Sequence, residues 1–157
     1  MAEGEIEPAT LDDLEEITLL YRDTILMVNS KDYTAEQTAA WSGRYTNTLG
    51  WTDKINSQHF LLMREDGQLT GFSSLTKTGH VDMLFVHKDH QGKGIAKQLL
   101  TEIEKVAIEK GFQNLTTNAS KTARPVFEHF GFTVITEETV VVDGIALNNY
   151  RMNKALK

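Results

Sequence analysis

Val81-Asp82-Met83-Leu84-Phe85-Val86-His87 passes through Lys88-Asp89-His90 into Gln91-Gly92-Lys93-Gly94-Ile95-Ala96. The first part is almost wholly apolar except for Asp82, as in a central strand covered on both faces. From about Gly92 onward, Ile95, Leu99, Leu100, Ile103 and Val106 recur on one helical face, and Gly111 supplies a stop. A strand therefore runs into a helix across two glycines. The first four N–H groups of a helix have no intrahelical partner and the dipole is positive there, so this junction suits a bound phosphate. Gly92 and Gly94 allow close backbone approach, Ala96 is nearly as small, and Lys93 and Lys97 add charge. At about 1.5–3 kcal/mol for each hydrogen bond to a charged oxygen, several would anchor a pyrophosphate. Such a turn can also serve folding alone. The other nucleotide motifs are absent: there is no Gly-x-x-x-x-Gly-Lys-Ser/Thr run and no Gly-x-Gly-x-x-Gly spacing.

Upstream, His59–Arg64 and Gln68–Leu75 alternate as strands around Glu65-Asp66-Gly67, a tight hairpin signal. Glu5–Pro8 reads as a short first strand. Thr10 caps a helix with Asp12 and Asp13 in its first turn, and Leu11, Leu14, Ile17, Leu20 and Tyr21 carry it to about Val28. Thr34 caps a second helix bearing Ala39, Ala40 and Trp41, and Gly43–Gly50 reads as loop. Downstream come a strand at Asn114–Asn118 and a helix from about Lys121 to Phe130, ended by Gly131. Strands Phe132–Val142 and Ile145–Met152 then enclose Asp143-Gly144. The order is that of a mixed α/β sheet with helices packed on it.

The 157 residues, 40% hydrophobic and 24% charged, predict one domain spanning 1–157. Without cysteine, the chain has no disulfide, zinc-thiolate or iron–sulfur site and no cysteine nucleophile. The acidic N-terminus lacks the basic and apolar regions of a signal peptide, and no segment has the roughly 18 apolar residues of a membrane span, so a soluble cytoplasmic protein is expected. Sixteen Lys and Arg against 22 Asp and Glu give a formal charge of −6 with no long block of either sign, which disfavours nucleic acid, and the lack of an apolar span leaves no membrane partner expected. An acidic surface attracts cations, an amine among them, although the same charge can serve solubility alone.

Gln91-x-x-Gly94-x-Ala96 matches the Gln/Arg-x-x-Gly-x-Gly/Ala signature of the GNAT superfamily of N-acetyltransferases, and it similarly follows a hydrophobic strand. Ala123-Arg124-Pro125-Val126-Phe127-Glu128-His129-Phe130-Gly131-Phe132 resembles that family's Ala-x-x-x-Tyr-x-x-x-Gly-Phe block, and Ile6 to Asp13 resembles its first strand and helix start. The resemblance implies an α/β (α+β) fold with a largely antiparallel sheet of about six to seven strands and about four helices. It also implies acetyl-CoA as co-substrate, no metal, and a small-molecule or peptide amine as acceptor, in a monomer or homodimer. In the family a bulge splays the central strand and pantetheine lies in the cleft. Carried over, that puts pantetheine along Leu84, Phe85 and Val86, the pyrophosphate on Gln91, Gly92, Lys93, Gly94, Ile95 and Ala96, and the thioester near Asp82 and the segment Asn118–Ser120.

The chain departs from the family pattern at two positions. Ser120 stands where an asparagine is common, a mild change because a hydroxyl also donates and accepts. Phe127 stands where the family tyrosine protonates the departing thiolate, and a phenyl ring has no proton to give. Family members activate the amine with a carboxylate, which singles out Asp82 as base; partial burial is expected to raise its pKa, and a Lys or Arg partner is the alternative. His80 and His87 are secondary candidates, His129 falls on an exposed helix face, and Tyr150 is the candidate for supplying the missing proton. A strand N–H near Phe85 or Val86 is the candidate oxyanion donor. Tyr33, Trp41, Tyr45 and Trp51 give the acceptor side an aromatic character, as cradle or as core. The alternative to an enzyme is a CoA-binding sensor without turnover.

Overall fold

The computed structural model describes residues 4–156. Strand β1 (Glu5–Pro8) leads through a 3-10 turn (Leu11–Asp13) into α1 (Leu14–Met27), and a second 3-10 turn (Asn29–Lys31) into α2 (Ala35–Ser42). A further 3-10 turn (Gly43–Thr46) precedes α3 (Thr48–Ser57), followed by β2 (His59–Glu65), β3 (Gln68–Leu75) and β4 (His80–Val86). Then come α4 (Ile95–Glu109), β5 (Asn114–Ser120), α5 (Arg124–His129), β6 (Thr133–Val142) and β7 (Ile145–Ala155). The seven strands form one sheet in the order β1-β2-β3-β4-β5-β7-β6. Every neighbouring pair is antiparallel except β4 and β5.

Local chemistry accounts for most of these elements. Thr34 and Gln37 form a reciprocal cap on α2: the Gln37 N–H donates to Thr34 Oγ1 at 3.1 Å, and the Thr34 N–H donates to Gln37 Oε1 at 2.9 Å. Both hairpin turns take left-handed backbone, with φ of 52° and 80° at Asp66 and Gly67 and of 50° and 80° at Asp143 and Gly144. The stretch from Gly43 to Gly50, read above as loop, is instead a 3-10 turn and the start of α3, which brings the α-helices to five. Asn47 caps α3 by accepting the Gly50 N–H at 3.2 Å.

Two cores lie on opposite faces of the sheet. On one, α4 and α5 cover Leu61, Leu75, Val81, Leu115 and Met152; on the other, Ile17, Tyr21 and Ile25 of α1 with Trp51 and Ile55 of α3 cover Phe60, Leu62 and Phe72. Contact between α4 and β3 depends on Gly71. A Cβ there would meet Ile95 Cγ2 at 2.9 Å, the Phe85 carbonyl at 3.1 Å and Leu99 Cδ1 at 3.2 Å. Gly71→Ala is therefore expected to cost about 1–3 kcal/mol by overpacking and to lower Tm by several degrees. It should also weaken the binding of any phosphate ligand at the glycine turn by shifting the start of α4. Thermal melts and calorimetry check both effects; an unchanged Tm would mean that the helix parts from the sheet freely.

Candidate active site

The site begins with an irregularity in β4. Ser74 pairs with Met83, but the next residue of β3, Leu75, pairs with Val81, so Asp82 is the extra residue of a bulge. A regular strand sends neighbours to opposite faces; here Asp82 and Met83 both turn toward α1 and α3, while Val81 and Leu84 face α4. The parallel pairing of β4 with β5 covers only His80↔Thr116 and Val81↔Thr117. Thr117 Oγ1 donates to the Val81 carbonyl at 2.8 Å and secures that last pair. Beyond it the strands part around a cavity of about 1150 Å³, walled by β4 from Asp82 to Val86 and by β5 from Thr117 to Ser120. This exceeds the roughly 300–1,000 Å³ of a usual small-ligand pocket, leaving room for two reactants.

At one end the cavity reaches the turn before α4. Val86 closes β4 with its carbonyl accepting from Gln91 Nε2 at 2.7 Å and Thr24 Oγ1 at 3.1 Å. Gly92 and Gly94 have φ of 73° and 80°, and a Cβ at either would meet nothing within 4 Å. Left-handed backbone, not crowding, thus demands glycine there, and the space in front of the turn stays open. The Gln98 N–H reaches the Gly94 carbonyl at 3.1 Å, leaving the N–H groups of Ile95, Ala96 and Lys97 as the free donors of the first turn. Gln91, Gly92, Gly94, Ile95, Ala96 and Lys97 all line the cavity. Lys93 is not on the wall; its Nζ lies 3.4 Å from Nδ1 of His90, which is. His87 also belongs to this turn, accepting the Asp89 N–H at 3.0 Å and lying edge-on to His90.

At the bulge, Asp82 Oδ2 accepts from Lys54 Nζ at 2.6 Å and from Gln58 Nε2 at 2.9 Å. Burial pushes this carboxyl up, but the hydrogen bonds from Lys54 and Gln58 and the ammonium charge outweigh it and hold the pKa below the ordinary carboxylate value. The expected upward shift is thus corrected by a partner on α3. His80 Nδ1 lies 2.8 Å from Thr116 Oγ1, and burial lowers its pKa against the opposing charge of Asp82, which favours the neutral ring. Asn118 projects into the cleft, and Ser120 Oγ accepts the Ala123 N–H at 3.0 Å, steadying the turn into α5. Phe127 lies on the wall, 2% exposed, with Phe132 edge-on at 5.1 Å.

Tyr150, by contrast, is not on the cavity wall. It pairs with Ala119 and packs with the α4–α5 core, under the Arg124 guanidinium at 4.5 Å from its ring centre. Its neighbours Leu147, Asn148 and Asn149 line the cavity instead, and Asn149 Oδ1 is buried without a partner. The candidate proton donor is thus set off the wall, against the α4–α5 core.

The far end is aromatic. Tyr21, Tyr33, Trp41 and Trp51 line it, with Tyr21 edge-on to Trp51 at 4.8 Å. Tyr33 also braces the wall, its hydroxyl donating to the Asn148 carbonyl at 2.7 Å and accepting the Lys121 N–H at 2.9 Å. Tyr45 lies off the wall, beneath Arg22 at 5.1 Å, and His129 is exposed at the rim. Arg44, Lys54 and Gln58 escaped the sequence reading because they belong to the turn and helix taken as loop or left unassigned. The usable signal was Asn47 as a cap ahead of Trp51 and Ile55 at helical spacing.

Residues 29–154 match the acetyltransferase (GNAT) domain family. The chain belongs to the GNAT acetyltransferase family. As a member it is an acyltransferase that takes acetyl-CoA as co-substrate. This GNAT acetyltransferase is 28% identical over 140 residues to an uncharacterized N-acetyltransferase, YafP, of Escherichia coli (strain K12), covering 89% of this chain and 88% of that one. A GCN5-related N-acetyltransferase structure from Rhodopseudomonas palustris superposes with a TM-score of 0.96 at 29% identity, over 99% of this chain and 98% of the other. The PaiA N-acetyltransferase of Thermoplasma acidophilum, determined in complex with coenzyme A, has the same fold, with a TM-score of 0.80 at 22% identity over 98% and 99% of the two chains. Among the described residues no group of three or more His, Cys, Asp or Glu is arranged to hold a metal ion, and no helix is long and apolar enough to cross a membrane.

Proposed function

We propose that this acetyltransferase moves the acetyl group of acetyl-CoA directly to a primary amine of a small molecule or peptide, in a ternary complex without an acyl-enzyme. The observation that carries this reading is one continuous cavity joining the glycine turn at 91–97 to Asp82 and the aromatic end. Pyrophosphate on the free N–H groups of α4 and pantetheine along Leu84, Phe85 and Val86 would bring the thioester to the region of Asp82, Asn118 and Phe127. The amine nitrogen then attacks the thioester carbonyl; the C–N bond forms, the C–S bond breaks, the amine loses a proton and the thiolate gains one. An aspartate with a depressed pKa is a weak proton acceptor, so Asp82 serves chiefly to hold the ammonium form of the acceptor beside the thioester. One proton leaves it through water to solvent before the neutral nitrogen attacks, and the second leaves once the C–N bond has formed, as the thiolate takes one up.

The test is a panel of primary amines, including polyamines, amino acids, peptides and amine antibiotics, incubated with acetyl-CoA. Thiol release well above acetyl-CoA hydrolysis, with an acetyl mass increment on the amine, is expected for at least one class. Thiol release without any acetylated product would refute the reading.

With Phe127 on the wall, solvent is left to protonate the thiolate, and Phe127→Tyr places a phenol there. A rise in kcat of about tenfold is expected, equivalent to roughly 1.4 kcal/mol off the barrier. The packing cost is small if the hydroxyl reaches the cavity that the ring lines, since the two rings share a shape. No gain at unchanged Tm would show that protonation by water is not limiting.

A further inference from the structure

The chain has five arginines, and four of them are matched to a carboxylate. Arg22 lies 2.9 Å from Asp23, Arg64 2.7 Å from Asp13, Arg124 3.4 Å from Glu128 and Arg151 3.0 Å from Glu138. Arg44 makes no ion pair among the described residues, although acidic side chains outnumber basic ones by 22 to 16, and it is the arginine that lines the cavity. Its backbone is held in place: the Trp51 Nε1–H donates to the Arg44 carbonyl at 3.1 Å, and the Asn47 N–H donates to the same oxygen at 3.0 Å. Of the other cations on the wall, Lys54 is engaged by Asp82 and Lys97 belongs to the phosphate end. Tyr21, on the same wall, has its pKa raised chiefly by burial, with the Arg44 charge acting against that rise. The acceptor end therefore presents a committed anion, an uncommitted guanidinium and aromatic surface from Tyr21, Trp41 and Trp51.

We infer that the acceptor carries a carboxylate as well as its amine, and that Arg44 receives that carboxylate while the amine faces Asp82. The inference rests on the amine-acetylation reading and narrows it to amino-acid-like acceptors. A guanidinium is suited to the task because its planar fork matches a carboxylate with two parallel hydrogen bonds.

The test compares amino acids of varied side chain, phenylalanine included, with their neutral amides and decarboxylated amines. Wild-type enzyme is expected to favour at least one amino acid over its amide by about tenfold or more in kcat/KM, the contribution of one charge-assisted pair. In Arg44→Gln that ratio should fall toward one, mainly through KM, and Arg44→Lys should recover part of it. Quenching of Trp41 and Trp51 fluorescence by the same compounds, with CoA present, reads occupancy without turnover. Saturable binding of an amino acid that Arg44→Gln abolishes, with no acetylation of anything, would sink the acetylation reading and leave the carboxylate site standing. Amides and amines turned over as well as the amino acids would overturn the carboxylate site and leave the acetylation reading intact. An absence of any Arg44-dependent amino-acid binding or preference would also overturn it. Arg44 is exposed, so both variants are expected to fold, and melting curves confirm that they do.

Discussion

Ala96→Glu is expected to weaken CoA binding by about two orders of magnitude while leaving the protein at least as stable as before. Ala96 is the second residue of α4, on the cavity wall, and its N–H is one of the free donors of the helix start. A carboxylate there would fill the space that the pyrophosphate needs and repel its charge. Forfeiting one or two hydrogen bonds to charged oxygens, at about 1.5–3 kcal/mol each, corresponds to roughly tenfold at the least and about ten-thousandfold at the most in Kd. The same carboxylate favours the helix dipole, so the melting temperature should hold or rise slightly. This opposition of effects separates a binding defect from a folding defect. Ala96→Gln, of equal bulk without the charge, should fall between the two. Calorimetric titration with CoA beside a thermal melt is the measurement, and unchanged affinity in the glutamate variant would remove the phosphate site from this turn. Gly94 is a poorer place for the same test, because its φ of 80° would add about 1–2 kcal/mol of backbone strain to any other residue.

Asp82→Asn is expected to lower kcat/KM about 100-fold, the lower range for loss of an acid–base group, with little change in CoA affinity. The pH dependence carries more information than the rate. Because Lys54 and Gln58 hold Asp82 below the ordinary carboxylate value, it is ionised throughout the neutral range, and the variant should keep the shape of the wild-type profile there. Lys54→Met removes the ammonium and leaves burial to act against the charge. In that variant the carboxylate pKa rises, and an acidic limb should enter or move up in the profile. Stability follows the same sign. A folded pKa below the unfolded one contributes stability that is fully present above the unfolded value, near about 3.9, and is lost as pH falls through the folded value. Asp82→Asn should therefore lose more Tm at pH 7 than at pH 3. A profile that changes shape near neutrality in Asp82→Asn would mean that the carboxylate titrates there, contrary to the Lys54 pairing.

Features governed by near neighbours were legible without a structure. The two Asp-Gly turns, the cap at Thr34, the apolar face of α4 and the strand-to-helix junction at 91–97 each depend on residues within one or two turns of chain. Even there the boundary moved: the helix begins at Ile95, not near Gly92, because Gly92 and Gly94 adopt left-handed backbone that no α-helix accepts. Helix α3 was obscured by its own composition, since Gly50 sits in its first turn and threonine and asparagine, weak helix formers, flank the apolar positions.

The sequence by itself determined the glycine turn before α4, the strand and helix order around it and the family to which they point, since each is a short pattern set by backbone and side-chain preferences. Only the tertiary structure decided the chemistry at the other end of the cleft. Lys54 meets Asp82 across 28 residues of chain, and that distant partner reverses the direction in which burial alone would move the carboxyl. The packing of β7 leaves Asn149 on the cavity wall and Tyr150 off it, against the α4–α5 core, which composition does not reveal. The bulge at Asp82 likewise arises from the fit of β4 between β3 and β5, and it puts two consecutive side chains on one face where a regular strand would divide them.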